Sequence, residues 1–105
     1  MAVIGMFAPS KDGGWIGRIR TLTVNSKVRL VPNDNRRNDH SPDYRIYAGA
    51  SEIGAAWRSR TTDNRAGKYL HVRLDDPSLP EPLTAAMFET PDGALARLVW
   101  GGRRQ

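Results

Sequence analysis

The chain has 105 residues, carries 16 Lys and Arg against 11 Asp and Glu for a net charge of +5, and contains no cysteine. That length suits a single compact domain, 1–105, able to bury roughly two-thirds of its unfolded surface without a metal or crosslink. The missing cysteine excludes disulfides, thiol catalysis and cysteine-based zinc sites, and agrees with a reducing compartment. "MAVIGMFAPSKDGGW" has no basic start followed by a long apolar run, so no signal peptide is expected. No stretch approaches the roughly 20 apolar residues of a membrane helix, and the expectation is a cytoplasmic protein that does not engage the membrane.

The periodicity along the chain is mostly two, the mark of half-buried antiparallel strands. The predicted strands are 3–8, 15–24, 27–31, 44–48, 52–59, 68–74, 83–89 and 95–100. "KDGG" (11–14) turns the chain after the first. In the third, Val28 and Leu30 alternate with Lys27 and Arg29. "VPNDN" (31–35) opens a polar loop, 32–43. In the fourth, Tyr44, Ile46 and Ala48 alternate with Arg45 and Tyr47. Gly49 turns into the fifth, where Ile53, Ala55 and Trp57 alternate with Gly54, Ala56 and Arg58. "TDNRAGK" (62–68) leads to the sixth, where Leu70, Val72 and Leu74 alternate with Tyr69, His71 and Arg73. "DDPSLPEP" (75–82) reads as an extended crossover, because its prolines cannot join a ladder. "PLTAAMFE" fits a strand, with a short helix as its alternative. "TPDGA" (90–94) suits a type I turn before the last strand. The expected fold is all-β and mainly antiparallel, a small barrel or sandwich of about six to eight short strands with at most one short helix. The tryptophans are expected to pack in the core, Trp57 and Trp100 more firmly than Trp15, which follows a turn and has a partly open position as its alternative.

Thirteen of the basic residues are arginine. Arginine suits phosphate and stacks on flat rings, although GC-rich codons alone would also enrich it. Residues 1–73 carry a net +7, 74–96 a net −5 and 97–105 a net +3. If the apolar positions of the alternating strands face inward, the other face shows Lys27, Arg29, Arg45, Tyr47, Arg58, Tyr69, His71 and Arg73, with Arg18 and Arg20 able to join. Cations interleaved with rings are what a single-stranded nucleic acid requires, for phosphates and for stacked bases. An ordinary solvated sheet face would look similar. Arg36 and Arg37 in the polar loop, and the acidic Asp75 and Asp76, are candidate contacts for a protein partner.

An enzyme is not expected, nor a cofactor. The sequence has no G-x-S-x-G elbow, P-loop or G-x-G-x-x-G fingerprint, and His40 and His71 sit in no catalytic motif. The loop 32–43 gathers Asp34, Asp39, His40 and Asp43, the residue types a metal-dependent nuclease would use. Their spacing matches no calcium loop, and Asn33, Asp34 and Asn38 are equally well explained as turn formers.

"IGMF" (4–7), "RTL" (20–22), "VRLVPND" (28–34), "SPDYRIYAG" (41–49), "EIGAAW" (52–57), "YLHVRLDDPSLPEP" (69–82) and "LVW" (98–100) together resemble a bacterial family, domain of unknown function seven-three-six. "EIGAAW" and "LDDP" are the most specific blocks, and His71 and the "GGRRQ" tail depart from the family pattern. The family has no assigned activity, so the resemblance assigns no catalytic residue. It implies a setting on plasmids and integrative elements. Two jobs fit that setting: binding nucleic acid as an accessory of the mobile element, or engaging a host-defence or conjugation protein as an inhibitor or anti-defence (anti-CRISPR-like) factor.

Overall fold

A computed structural model of the chain describes residues 2–34, 37, 38, 40–58, 69–77 and 79–101. Eight strands follow one another: β1 (Ala2–Pro9), β2 (Trp15–Arg20), β3 (Asn25–Pro32), β4 (Tyr44–Ala48), β5 (Ser51–Arg58), β6 (Tyr69–Leu74), β7 (Leu83–Glu89) and β8 (Ala96–Trp100). Each pairs antiparallel with its sequence neighbours, and β8 pairs back onto β1, so the sheet closes into an up-and-down barrel. The barrel replaces the sandwich alternative. No helix occurs among the described residues. Residues 83–89 form β7 because Ala85 and Met87 fall on alternate positions that the interior needs, and pairing on both sides outweighs their helical propensity.

The interior is filled by residues from every strand. Phe7, Val28, Ile46, Val72 and Leu98 are the most deeply buried large side chains. Eight strands enclose a space just wide enough for such a packed core. Trp15 belongs to it at 7% exposure, while Trp57, expected more firmly in the core, is only half-buried. Trp100 is also half-buried, packed against one end of the core.

β2 ends at Arg20 rather than 24. The Thr21 hydroxyl oxygen accepts from the amides of Thr23 and Val24, and the Thr21 amide donates to the Val24 carbonyl at 2.7 Å, turning the chain directly into β3. Gly49, with φ of 62°, begins the two-residue turn between β4 and β5.

A β-bulge reverses the expected alternation of β5. Ile46 faces Gly54 across the ladder while Tyr47 faces Glu52, so Ile53 is the extra residue. Ile53 still packs against the core, but beyond it the inward position passes to Ala56, which is fully buried. Ala55 and Trp57, expected inside, lie on the outer wall. Gly54 allows the bulge, since a Cβ there would sit 2.1 Å from the Arg73 carbonyl oxygen.

Candidate nucleic-acid interface

The register turns the outer wall into rows of side chains that run across neighbouring strands. One row is Val31, Arg45, Ala55, Arg73 and Thr84. The next is Trp57, His71, Ala86, Val99 and Val3. A third is Tyr69, Phe88, Arg97, Met6, Arg18 and Lys27. A fourth is Ala8, Ile16, Arg29, Tyr47 and Glu52.

The wall is nearly all cationic, while the ends carry most of the carboxylates together with Lys11, Arg37 and Arg58. Among the described residues, the strands direct Arg18, Arg20, Lys27, Arg29, Arg45, Arg73 and Arg97 outward, against the single carboxylate Glu52. The acidic segment 74–96 is split between the two mouths. Asp75, Asp76 and Glu81 lie in the β6–β7 connection at one end, while Glu89 and Asp92 sit at the β7–β8 turn at the other. Asp75 extends the ladder by donating its amide to the Ile53 carbonyl, and the Asp76 carbonyl accepts from Leu79, which packs against the core.

The predicted binding residues fall into two groups joined by β5. Lys27, Arg29, Arg45 and Tyr47 lie on β3 and β4, and Tyr69, His71 and Arg73 on β6. Between them Ala55 leaves a low floor flanked by Arg45 and Arg73, about 10 Å apart at two strand spacings. Arg73 has no ion pair among the described residues. Arg45 approaches Glu52 at 3.8 Å with both side chains over two-fifths exposed, a loose contact that solvent screens. Arg29 lies over the Tyr47 ring, 5.0 Å from its centroid, and reaches the Gly49 carbonyl at 3.4 Å. That ring therefore already carries a cation on one face. Two further ring pairs stand on the wall: Trp57 with His71 at 6.3 Å, and Tyr69 with Phe88 at 5.3 Å.

Arg58 does not join this surface. It pairs with Leu70 on the inward side of the ladder, at the barrel mouth. Its guanidinium donates to the Tyr44 hydroxyl at 3.4 Å and lies 6.0 Å from the Tyr44 ring. The hydrogen bond to Tyr44 is the main cause of a pKa raised above the ordinary arginine value. The same bulge that turns Trp57 outward turns Arg58 inward.

The loop 33–43 is tied to the barrel through its polar atoms. The Asp43 carboxylate accepts from the Arg58 amide at 2.8 Å, and the Trp57 indole donates to the His40 carbonyl at 2.9 Å. Asn33, the buried polar residue, donates its side-chain amide to the Pro42 carbonyl at 2.9 Å. The backbone amides of Arg37 and Asn38 both donate to the Ser41 hydroxyl oxygen. Arg36 and Asp39 lie outside the described residues. Among the described residues no three His, Asp or Glu gather as a metal site would require.

Sequence reasoning missed Met6, Phe88 and Arg97 as wall residues. The signal was present, because Thr84, Ala86 and Phe88 alternate with the buried Ala85 and Met87. Pairing of β7 with β6 and β8 carries the row from Tyr69 to Phe88 and Arg97, and closure of β8 onto β1 adds Met6.

The fold and wall define a class: a meander barrel closed among the described residues, whose strands direct mostly cations outward and whose acids collect at the ends. Every described strand is paired on both sides, so no described strand offers an edge to a partner. Residues 3–103 match the family described as "Protein of unknown function (DUF736)", and the chain belongs to that family. No curated protein and no solved structure matches it.

Proposed function

We propose that the chain is a non-enzymatic protein that binds single-stranded nucleic acid on its outer wall, as an accessory of a bacterial mobile element. The observation that carries this reading is the separation of charge: Arg18, Arg20, Lys27, Arg29, Arg45, Arg73 and Arg97 share the wall with one carboxylate, Glu52. A random basic composition would leave carboxylates among the arginines. Phosphates would follow Arg45 and Arg73 across the Ala55 floor, and bases would stack near Trp57, His71 and Tyr69, each stacked base worth about 1–3 kcal/mol in comparable sites.

The test is a titration of labelled single-stranded oligonucleotide at low and moderate salt. Arg45→Glu and Arg73→Glu are expected to weaken binding about tenfold or more, with affinity falling steeply as salt rises. Arg58→Glu, at the mouth, is expected to bind as the wild type does. Absence of wild-type binding near ~50 mM salt, where such contacts are strong, removes the reading.

A second reading, an inhibitor or anti-defence factor acting on a protein, is favoured by the acidic mouth formed by Asp75, Asp76 and Glu81. Recovery of one stoichiometric basic protein, lost in Asp75→Lys with Asp76→Lys, would support it instead.

A further inference from the structure

We infer that a bound strand does not stay on β3–β6 but continues around the barrel onto β7, β8, β1 and β2, guided by the register row Tyr69, Phe88, Arg97, Met6, Arg18 and Lys27. This inference rests on the nucleic-acid reading and extends it to a footprint. The row is continuous: Tyr69 faces Phe88, Phe88 faces Arg97, Arg97 faces Met6, Met6 faces Arg18, and Arg18 faces Lys27. At ~4.8 Å per strand it runs about 24 Å, a length suited to several nucleotides of an unpaired strand.

Its chemistry repeats that of the first face, with rings at one end and cations beyond. Tyr69 and Phe88 stack at 5.3 Å, and both are partly exposed. Met6 is 41% exposed between Arg97 and Arg18, an apolar side chain with no packing partner in the core. No acidic residue occurs in the row. Arg97 makes no ion pair among the described residues, and Arg18 donates to the neutral Asn25 side chain at 2.8 Å, leaving its charge uncompensated.

The adjacent row supplies the bridge. Trp57, His71, Ala86, Val99 and Val3 form a strip without Lys, Arg, Asp or Glu, with Arg45 and Arg73 in the row on one side and Arg97 in the row on the other. Val3 is 56% exposed within it. Bases have an apolar floor here, and phosphates have cations along both borders. A duplex is too stiff to follow so tightly curved a wall, whereas an unpaired strand bends freely, so the footprint selects single strands.

The experiment measures the salt slope of binding to a labelled oligonucleotide of about 20 nucleotides, longer than the usual site of one small barrel. Two double variants are compared with the wild type: Arg45→Ala with Arg73→Ala, and Arg18→Ala with Arg97→Ala. Each lost phosphate contact on a single strand lowers the slope of log K against log salt by about 0.7, so each pair should lower it by about 1.4 in a complex of one chain per oligonucleotide. Thermal melts confirm that the exposed substitutions leave the barrel folded. If only the first pair changes the slope, the strand stops at β6 and this inference fails while the nucleic-acid reading stands. Binding of two oligonucleotides per chain, each sensitive to one pair, also overturns it. If the wild type binds no oligonucleotide, the underlying reading falls first.

Discussion

Asp12 and Asp92 do the same job in two turns at the same mouth. In "SKDGG" and "TPDGA" a hydroxyl residue comes first, aspartate third and a positive-φ glycine fourth, with φ of 90° at Gly13 and 70° at Gly93. The Asp12 carboxylate accepts from the Ser10 hydroxyl and, at 3.1 Å, from the Gly14 amide. The Asp92 carboxylate accepts from the Thr90 hydroxyl at 2.5 Å and from the Ala94 amide at 3.0 Å. Hydroxyl first and amide second, these bonds hold both carboxyls below the ordinary aspartate pKa. Because the folded pKa is the lower one, the stability is present above the unfolded pKa near 3.9 and disappears as pH falls through the folded value. Asp12→Asn with Asp92→Asn should therefore flatten the fall in melting temperature between about pH 5 and pH 2, checked by thermal scans across that range. Glycines at this scale divide by cause. A Cβ at Gly17 would stand 2.1 Å from the Met6 carbonyl oxygen and 2.8 Å from the Phe7 Cα, whereas one at Gly49 would meet nothing within 4 Å. Gly17→Ala is expected to cost about 2–4 kcal/mol through forced backbone movement. Gly49→Ala should cost about 1–2 kcal/mol, the strain of its positive φ alone. Urea unfolding of the two variants measures the contrast.

The bulge in β5 puts Trp57 where water can reach it. Trp57 follows the extra residue Ile53 and stands outside, with its indole bonded to the His40 carbonyl; Trp15 is enclosed. An aqueous fluorescence quencher should reach Trp57 and Trp100 and spare Trp15, and Trp57→Phe should remove part of the quenchable signal. Trp15→Ala is expected to cost about 3–5 kcal/mol, as large-to-small changes in cores do, and Trp57→Phe much less. Much of the strand layout was legible because alternation survives wherever pairing is regular. In β3, β4 and β6 the sequence pattern separates Val28, Leu30, Ile46, Val72 and Leu74 from Lys27, Arg29, Arg45, His71 and Arg73 as the barrel does. In "EIGAAW" the pattern misleads. Ile53 and Gly54 both take the inward side, and a small residue carries no hydropathy signal strong enough to reveal the slip. Arg58, which the alternation puts on the outer face, falls on the inward side of the ladder for the same reason. Met6 and Arg97 are hidden for another reason: they meet only where β8 closes onto β1, strands at opposite ends of the sequence.

Closure also explains why the formal charge of +5 understates what a polyanion would meet. The termini of strands, where turns and connections need Asp and Asn, collect the acids, while the wall keeps the arginines whose stems cover strand backbone. The two populations are held apart by the barrel, so the wall's potential is set by local cations and not by the net charge. Glu52 is the exception, close enough to Arg45 at 3.8 Å to offset it. As an exposed pair it contributes at most about 1 kcal/mol to folding, so its removal should leave the melting temperature within a few degrees. On the proposed nucleic-acid reading its effect on a bound phosphate would be opposite in sign: the carboxylate would repel the phosphate and compete for the guanidinium. Glu52→Gln should therefore raise affinity for a single-stranded oligonucleotide by about two- to fivefold at low salt, with the gain shrinking as screening shortens the reach of the charge. The same substitution placed on Arg45→Ala should give a smaller gain, since competition for that guanidinium has gone and only repulsion is left. Anisotropy titrations of the wild type, both single variants and the double variant at two salt concentrations would measure the coupling between the two positions.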